Sequence, residues 1–189
     1  MSLQYAILGF LSFEPLTGYA LKKNFDESVQ HFWPANQSQI YRTLASLKDE
    51  GLVALEVIER EGRLDKKVYH ITPEGREALH GWLSAPLPPQ DTREAFLIQL
   101  YFGSLMTDEE IESLLQNAKE ALEAKLSRYA VIHNAYRGEI EKRKDPRALF
   151  MRLITLEFGI LTNQTSLAWL ESVSTRLESG DYRLRDPGV

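Results

Sequence analysis

The sequence predicts a mainly α-helical fold with one small β-hairpin: an N-terminal winged helix-turn-helix over residues 1–85, then a C-terminal antiparallel helical dimerisation domain over residues 91–189. Three observations lead there. Apolar residues recur at helical spacing in short stretches separated by polar breaks from Leu3 to Ser84. Two strand-like runs, Leu52 to Ile58 and Lys66 to Ile71, flank the polar turn EREGRLD, which contains Gly62. After APLPPQ at residues 85–90, the one proline-dense stretch, the chain reads as helical and free of repeats.

Leu3, Ala6, Ile7, Phe10 and Leu11 give the first helix a single apolar face, and it ends near Ser12, ahead of Glu14 and Pro15. Thr17 is placed to cap a second helix, with Tyr19, Leu21 and Phe25 as its larger buried candidates. Gly18 suits a close approach by a neighbouring element. Pro34 halts the chain, Asn36 caps a third helix over residues 37–50, and Gly51 terminates it. Ile40, Leu44 and Leu47 form its buried stripe. The hairpin follows, with its tip at residues 59–67 and Tyr69 and Ile71 in alternation on the second strand. Thr72 and Pro73 then supply a cap and an N1 proline for a fourth helix running to about Ser84.

In the second half, residues 92–104 predict an apolar, aromatic helix. Thr107 and Glu110 have capping-box spacing and open a long helix expected to run from Asp108 to Lys144. Its apolar seam, from Ile111 through Leu115, Leu122, Tyr129 and Tyr136 to Ile140, has the 3 and 4 spacing of a coiled coil. Asp145 and Pro146 start a last helix rich in apolar residues, among them Phe150, Leu161 and Leu170. Two such helices folded back on each other carry more apolar surface than one pair covers. The surplus predicts a homodimer.

Composition excludes several classes. With no cysteine among 189 residues there are no disulfides and no thiolate metal sites. The apolar run Tyr5 to Ser12 is far short of a membrane span, and no basic residue precedes it, so neither anchor nor signal peptide is expected and the predicted location is cytoplasmic. His31, His70, His80 and His133 lack paired-ligand spacing, and no nucleophile or phosphate-loop motif is present. An enzyme is not expected, nor a cofactor or metal.

The net charge is −5, and residues 1–85 carry nine Lys and Arg against eleven Asp and Glu. Any attraction to a polyanion must therefore come from local clusters. Lys22 and Lys23 form one; Arg60, Arg63, Lys66 and Lys67 around the turn form another. Either could lie along phosphates or simply be a solvated face. The outer stripe of the third helix is more specific: Gln37, Ser38, Gln39, Tyr41, Arg42 and Ala45. A helix face selected only for solubility carries Glu and Lys. Here stand amides that both donate and accept, one guanidinium that can pair with guanine, and a small residue that permits close approach. Such groups read base edges in a major groove. Tyr41 suits a phosphate contact or packing at the helix edge.

In order and spacing, ILGFLS, GYALKK, FWPANQSQIYRTLASLKDEGLV and KVYHITPEGREAL resemble the PadR-type transcriptional regulators. REAFLIQLYFGSLMTDEE extends the likeness, more weakly, to the subgroup with the longer helical C-terminal domain. The resemblance implies a recognition helix at residues 37–50, double-stranded operator DNA as partner, dimerisation through the C-terminal helices and repression of transcription. It also implies, for some members, response to a small aromatic effector, for which Phe96, Tyr101, Phe102, Phe158 and Trp169 are candidate contacts here; ordinary core packing is the other reading. The alternative function is a winged helix serving protein contacts without DNA. That reading calls for apolar or acidic groups at Ser38, Arg42 and the wing, which the sequence does not have.

Overall fold

Ser2–Phe13 form α1 in the computed structural model, which describes residues 2–30, 32–61, 65–88, 93–136, 138–139 and 145–183. Ile7, Leu8 and Leu11 are its buried face. The chain divides into two units, Met1–Gln90 and Asp91–Val189.

In the first unit α2 spans Gly18–Asn24, with the Thr17 hydroxyl accepting from the Ala20 N–H at 3.1 Å. Leu21 and Phe25 are buried, but Tyr19 is 73% exposed, contrary to the expectation that it packs inward. The geometry explains this: at ~100° per residue Tyr19 points about 200° away from Leu21. A π-helical turn, Phe25–Val29, continues the helix before the chain reaches Pro34.

α3 (Gln37–Asp49) begins in a complete capping box. Asn36 Oδ1 accepts from the Gln39 N–H, and Gln39 Oε1 accepts from the Asn36 N–H, both at 2.9 Å. Two of the N–H groups that a helix start leaves unpaired are thereby satisfied. Ile40, Leu44 and Leu47 are fully buried among α1, α2 and the sheet, where truncating one to Ala costs on the order of 2–5 kcal/mol. Gly51 adopts φ +73°, the left-handed conformation that ends a helix and suits glycine.

β1 (Val53–Ile58) and β2 (Lys66–Ile71) pair antiparallel, from Val53 opposite Ile71 to Ile58 opposite Lys66. Leu16 adds a two-bond bridge on the other edge, its N–H to the Tyr69 carbonyl at 3.1 Å and the reverse at 2.8 Å. Burial in β2 does not alternate strictly: Val68 and Tyr69 are both buried, and only Tyr69 belongs to the main core. The turn residues 62–64, including Gly62 and Arg63, lie outside the described residues.

Thr72 is the junction of the unit. Its hydroxyl accepts from the Gly75 N–H at 3.0 Å and donates to the Gly51 carbonyl at 2.8 Å, while its own N–H donates to the Leu52 carbonyl at 3.1 Å. α4 (Pro73–Ser84) starts there and packs on α1, with the Tyr5 and Trp82 rings stacked at 4.7 Å. Gly75 has no room for a side chain, since an added Cβ would stand 2.1 Å from the Leu52 carbonyl oxygen.

In the second unit, the helix expected over 92–104 is shorter. α5 covers Ala95–Tyr101, and a 3₁₀ turn, Gly103–Leu105, follows. The Thr107–Glu110 capping box is present and opens α6 (Asp108–Tyr136). α6 stops well before Lys144, near Gly138, whose φ of +77° lies outside the helical region. Ile140 and residues 141–144 are outside the described residues. α7 (Pro146–Glu178) is capped by Asp145, whose carboxylate accepts from the Ala148 N–H at 3.1 Å. Asp108, Ile111 and Glu112 of α6 face Ser174, Leu177 and Glu178 of α7 across a cavity of about 180 Å³, so the pair is antiparallel. The α6 seam from Ile111 to Ile132 is buried or half-buried within this one chain. Among the described residues no helix is long and apolar enough to cross a membrane.

Candidate nucleic-acid interface

The capped start of α3 and its buried Ile40–Leu44–Leu47 stripe fix which face looks outward. Gln37, Ser38, Gln39, Tyr41, Arg42 and Ala45 are all exposed, on one side of the helix. The capping box uses the Gln39 carbonyl oxygen, so its NH₂ group is the part left to meet a ligand. The spacing Asn36-x-x-Gln39 is the sequence signal for that role. Arg42 has no ion pair among the described residues, so its guanidinium is not already committed.

Tyr41 is held differently from its neighbours. An added Cβ at Gly18 would lie 2.6 Å from its Cε1 and Cζ and 2.9 Å from its hydroxyl oxygen. The ring edge therefore rests on the first residue of α2 while the residue stays 41% exposed. Tyr69 lies close enough to interact with it; burial first, and the Tyr41 hydroxyl second, push the Tyr69 phenol above its ordinary pKa.

The two basic clusters are not equivalent. Lys22 is paired with Asp26, and Lys23 reaches Glu27 at 3.7 Å. Both are i, i+4 pairs on the exposed side of α2 and the π turn, so that surface is close to neutral. The spacing that reveals these pairs was present in the sequence. Lys66 and Lys67 sit opposite Ile58 and Val57 at the tip end of the hairpin, exposed and without an ion pair among the described residues. Arg60 is exposed beside them, and Arg63 lies outside the described residues. Further along the hairpin, His70 Nε2 meets Glu56 Oε2 at 2.8 Å. No group of three or more metal-ligating side chains occurs among the described residues.

In the second unit Tyr101, Phe102, Phe158 and Trp169 are exposed and Phe96 is half-buried; none of these five lines the α6–α7 cavity.

Known proteins share both units. Residues 7–81 match the transcriptional regulator PadR-like family, and residues 92–178 match the family described as virulence activator alpha C-term. The negative transcriptional regulator PadR of Bacillus subtilis is 30% identical over 177 residues, covering 93% of this chain and 97% of that protein. The structure of B. subtilis PadR in complex with operator DNA superposes with a TM-score of 0.83 at 30% identity, over 92% of this chain and 97% of that one. B. subtilis PadR in complex with p-coumaric acid gives 0.76 at 30% identity, over 94% and 99%. The Vibrio cholerae virulence activator AphA gives 0.77 at 28% identity, over 94% and 98%. These relatives are transcriptional regulators and not enzymes. With 30% identity to B. subtilis PadR over 93% of this chain and 97% of that one, and with the family model matching residues 7–81, the chain belongs to the PadR-like family of transcriptional regulators.

Proposed function

We propose that this chain is a cytoplasmic, sequence-specific DNA-binding repressor that acts as a homodimer. Residues 1–85 bind DNA and residues 91–189 dimerise and receive an effector. α3 enters the major groove, where Gln37, Ser38, Gln39 and Arg42 meet base edges, and the hairpin tip with Arg63, Lys66 and Lys67 lies on the phosphate backbone. Lys22, Lys23 and Tyr41 serve the backbone from the α2 side. The observation that carries this reading is the outer stripe of α3: exposed, uncharged apart from Arg42, and anchored by a capping box at its N-terminal end. A relative bound to operator DNA and named a negative regulator supports both DNA binding and repression.

An apolar surplus supports the dimer. Among the described residues of the second unit only Leu115, Tyr129, Leu156 and Leu170 are buried large apolar side chains, while Phe150, Phe158, Leu161 and Trp169 are among many left exposed. α7 is apolar on more than one face, which is the pattern of a helix covered on several sides. A small aromatic ligand is the proposed effector class, supported by the relative bound to p-coumaric acid.

Selection of duplexes from random-sequence DNA tests the proposal. The expected product is a pseudo-palindrome with half-sites about one helical turn or more apart. Arg42→Ala should cost about 1–3 kcal/mol and relax preference at one base position if Arg42 pairs with a guanine. Uniform weakening on all sequences assigns Arg42 to phosphate instead. Failure to enrich any sequence overturns the reading.

A further inference from the structure

Two glycines of the first unit stand where a methyl group would collide, and the collisions differ in kind. At Gly75 the obstacle is main chain, the Leu52 carbonyl, so that glycine serves packing. At Gly18 the obstacle is the far end of one side chain, the Cε1, Cζ and hydroxyl oxygen of Tyr41, at 2.6–2.9 Å. A methyl there leaves the backbone alone and drives the Tyr41 hydroxyl elsewhere. The contact also joins two elements with different duties. In helix-turn-helix docking the first helix crosses the sugar–phosphate backbone and the second lies in the groove. A hydroxyl from the second helix resting on the first residue of the first helix therefore stands beside a strand, not over base edges. Tyr41 is one residue from Arg42 and 41% exposed, so its phenol can donate outward.

We propose that the Tyr41 hydroxyl donates to a DNA phosphate oxygen and that Gly18 is the positioning residue that decides where this hydroxyl stands. The proposal rests on the DNA-binding reading above. The missing side chain at position 18 leaves the space in which the ring edge lies, and adding even one carbon closes it. Tyr41 thus sets register on the backbone while Gln37, Ser38 and Arg42 read sequence, since phosphate contacts position without specifying.

The test uses the full-length protein, a duplex selected by the wild type, and a scrambled duplex of the same length. Tyr41→Phe should weaken binding to both by roughly tenfold or more, as expected for a lost hydrogen bond to a charged group, with base preference unchanged. Gly18→Ala should weaken both comparably in the wild-type background and have no further effect in the Tyr41→Phe background, with the thermal midpoint measured alongside. Gly18→Ala combined with Tyr41→Ala, which removes the obstructing ring, should fold as Tyr41→Ala alone does. Unchanged affinity in Tyr41→Phe overturns the phosphate contact, as does a shift in preference at a single base. An equal Gly18→Ala loss in both backgrounds, or failure of the Gly18→Ala/Tyr41→Ala protein to fold, overturns the positioning role. Absence of any duplex bound by the wild type sinks the DNA-binding reading and not this inference alone.

Discussion

Tyr69 shows how much one side chain can be asked to do. It is buried in the core, bridges Leu16 through its backbone, and neighbours Tyr41 through its ring end. Burial, and secondarily Tyr41, raise its pKa above the ordinary 10.0, so the folded state favours the neutral phenol more than the unfolded chain does. The stabilisation is therefore complete below about pH 10 and is lost as pH rises through the folded value. The thermal midpoint is expected to fall more steeply above pH 10 in the wild type than in Tyr69→Phe; parallel curves would contradict it. At this scale the sequence was partly legible. The caps Thr17, Asn36, Thr72 and Asp145 could be read because a cap is one-turn chemistry between near neighbours. The exposure of Tyr19 was legible too, since Leu21 and Phe25 stand four residues apart on one face and Tyr19 lies about 200° from Leu21, but its ring was counted as core by residue type.

Among elements, the hairpin and α2 divide the electrostatic task unequally. Lys66 and Lys67 carry charge without partners among the described residues, whereas Lys22 and Lys23 spend theirs on Asp26 and Glu27. If the hairpin lies on phosphates, replacing Lys66 and Lys67 by Ala lowers the slope of log affinity against log salt by roughly 0.9 per lost phosphate per protomer. Sequence preference should survive. A slope that does not move makes the hairpin a solvated loop and passes the backbone role to Lys22 and Lys23. The order of elements was legible because helix and strand periods differ and because proline, glycine and capping residues punctuate the chain. The extents of α5 and α6 were less so. The apolar seam runs in sequence through Ile140, past Gly138, and periodicity alone gives no weight to a glycine whose φ of +77° lies beyond the helical region. The pairing of Lys22 with Asp26 lay in plain i, i+4 spacing, yet charge tallies conceal it.

For the whole molecule, the decisive quantity is apolar surface with nowhere to go. Phe158 and Leu161 stand 71% and 56% exposed on α7, three residues apart. Sedimentation at micromolar concentration should give twice the 21.7 kDa chain mass, and Phe158→Glu with Leu161→Glu should return it to a single chain. A wild-type mass of one chain across that range removes the dimer. The junction at Thr72 bears on what such an assembly can adjust. Thr72 ties the glycine that follows α3 and the first turn of α4 through its hydroxyl and the entry to β1 through its own N–H, and Gly75 packs directly against the Leu52 carbonyl. Reading head, wing and exit helix are thereby one casting, and the chain leaves it through α4. A load placed on α4 is therefore met by the end of α3 and the hairpin together, and not by one of them alone.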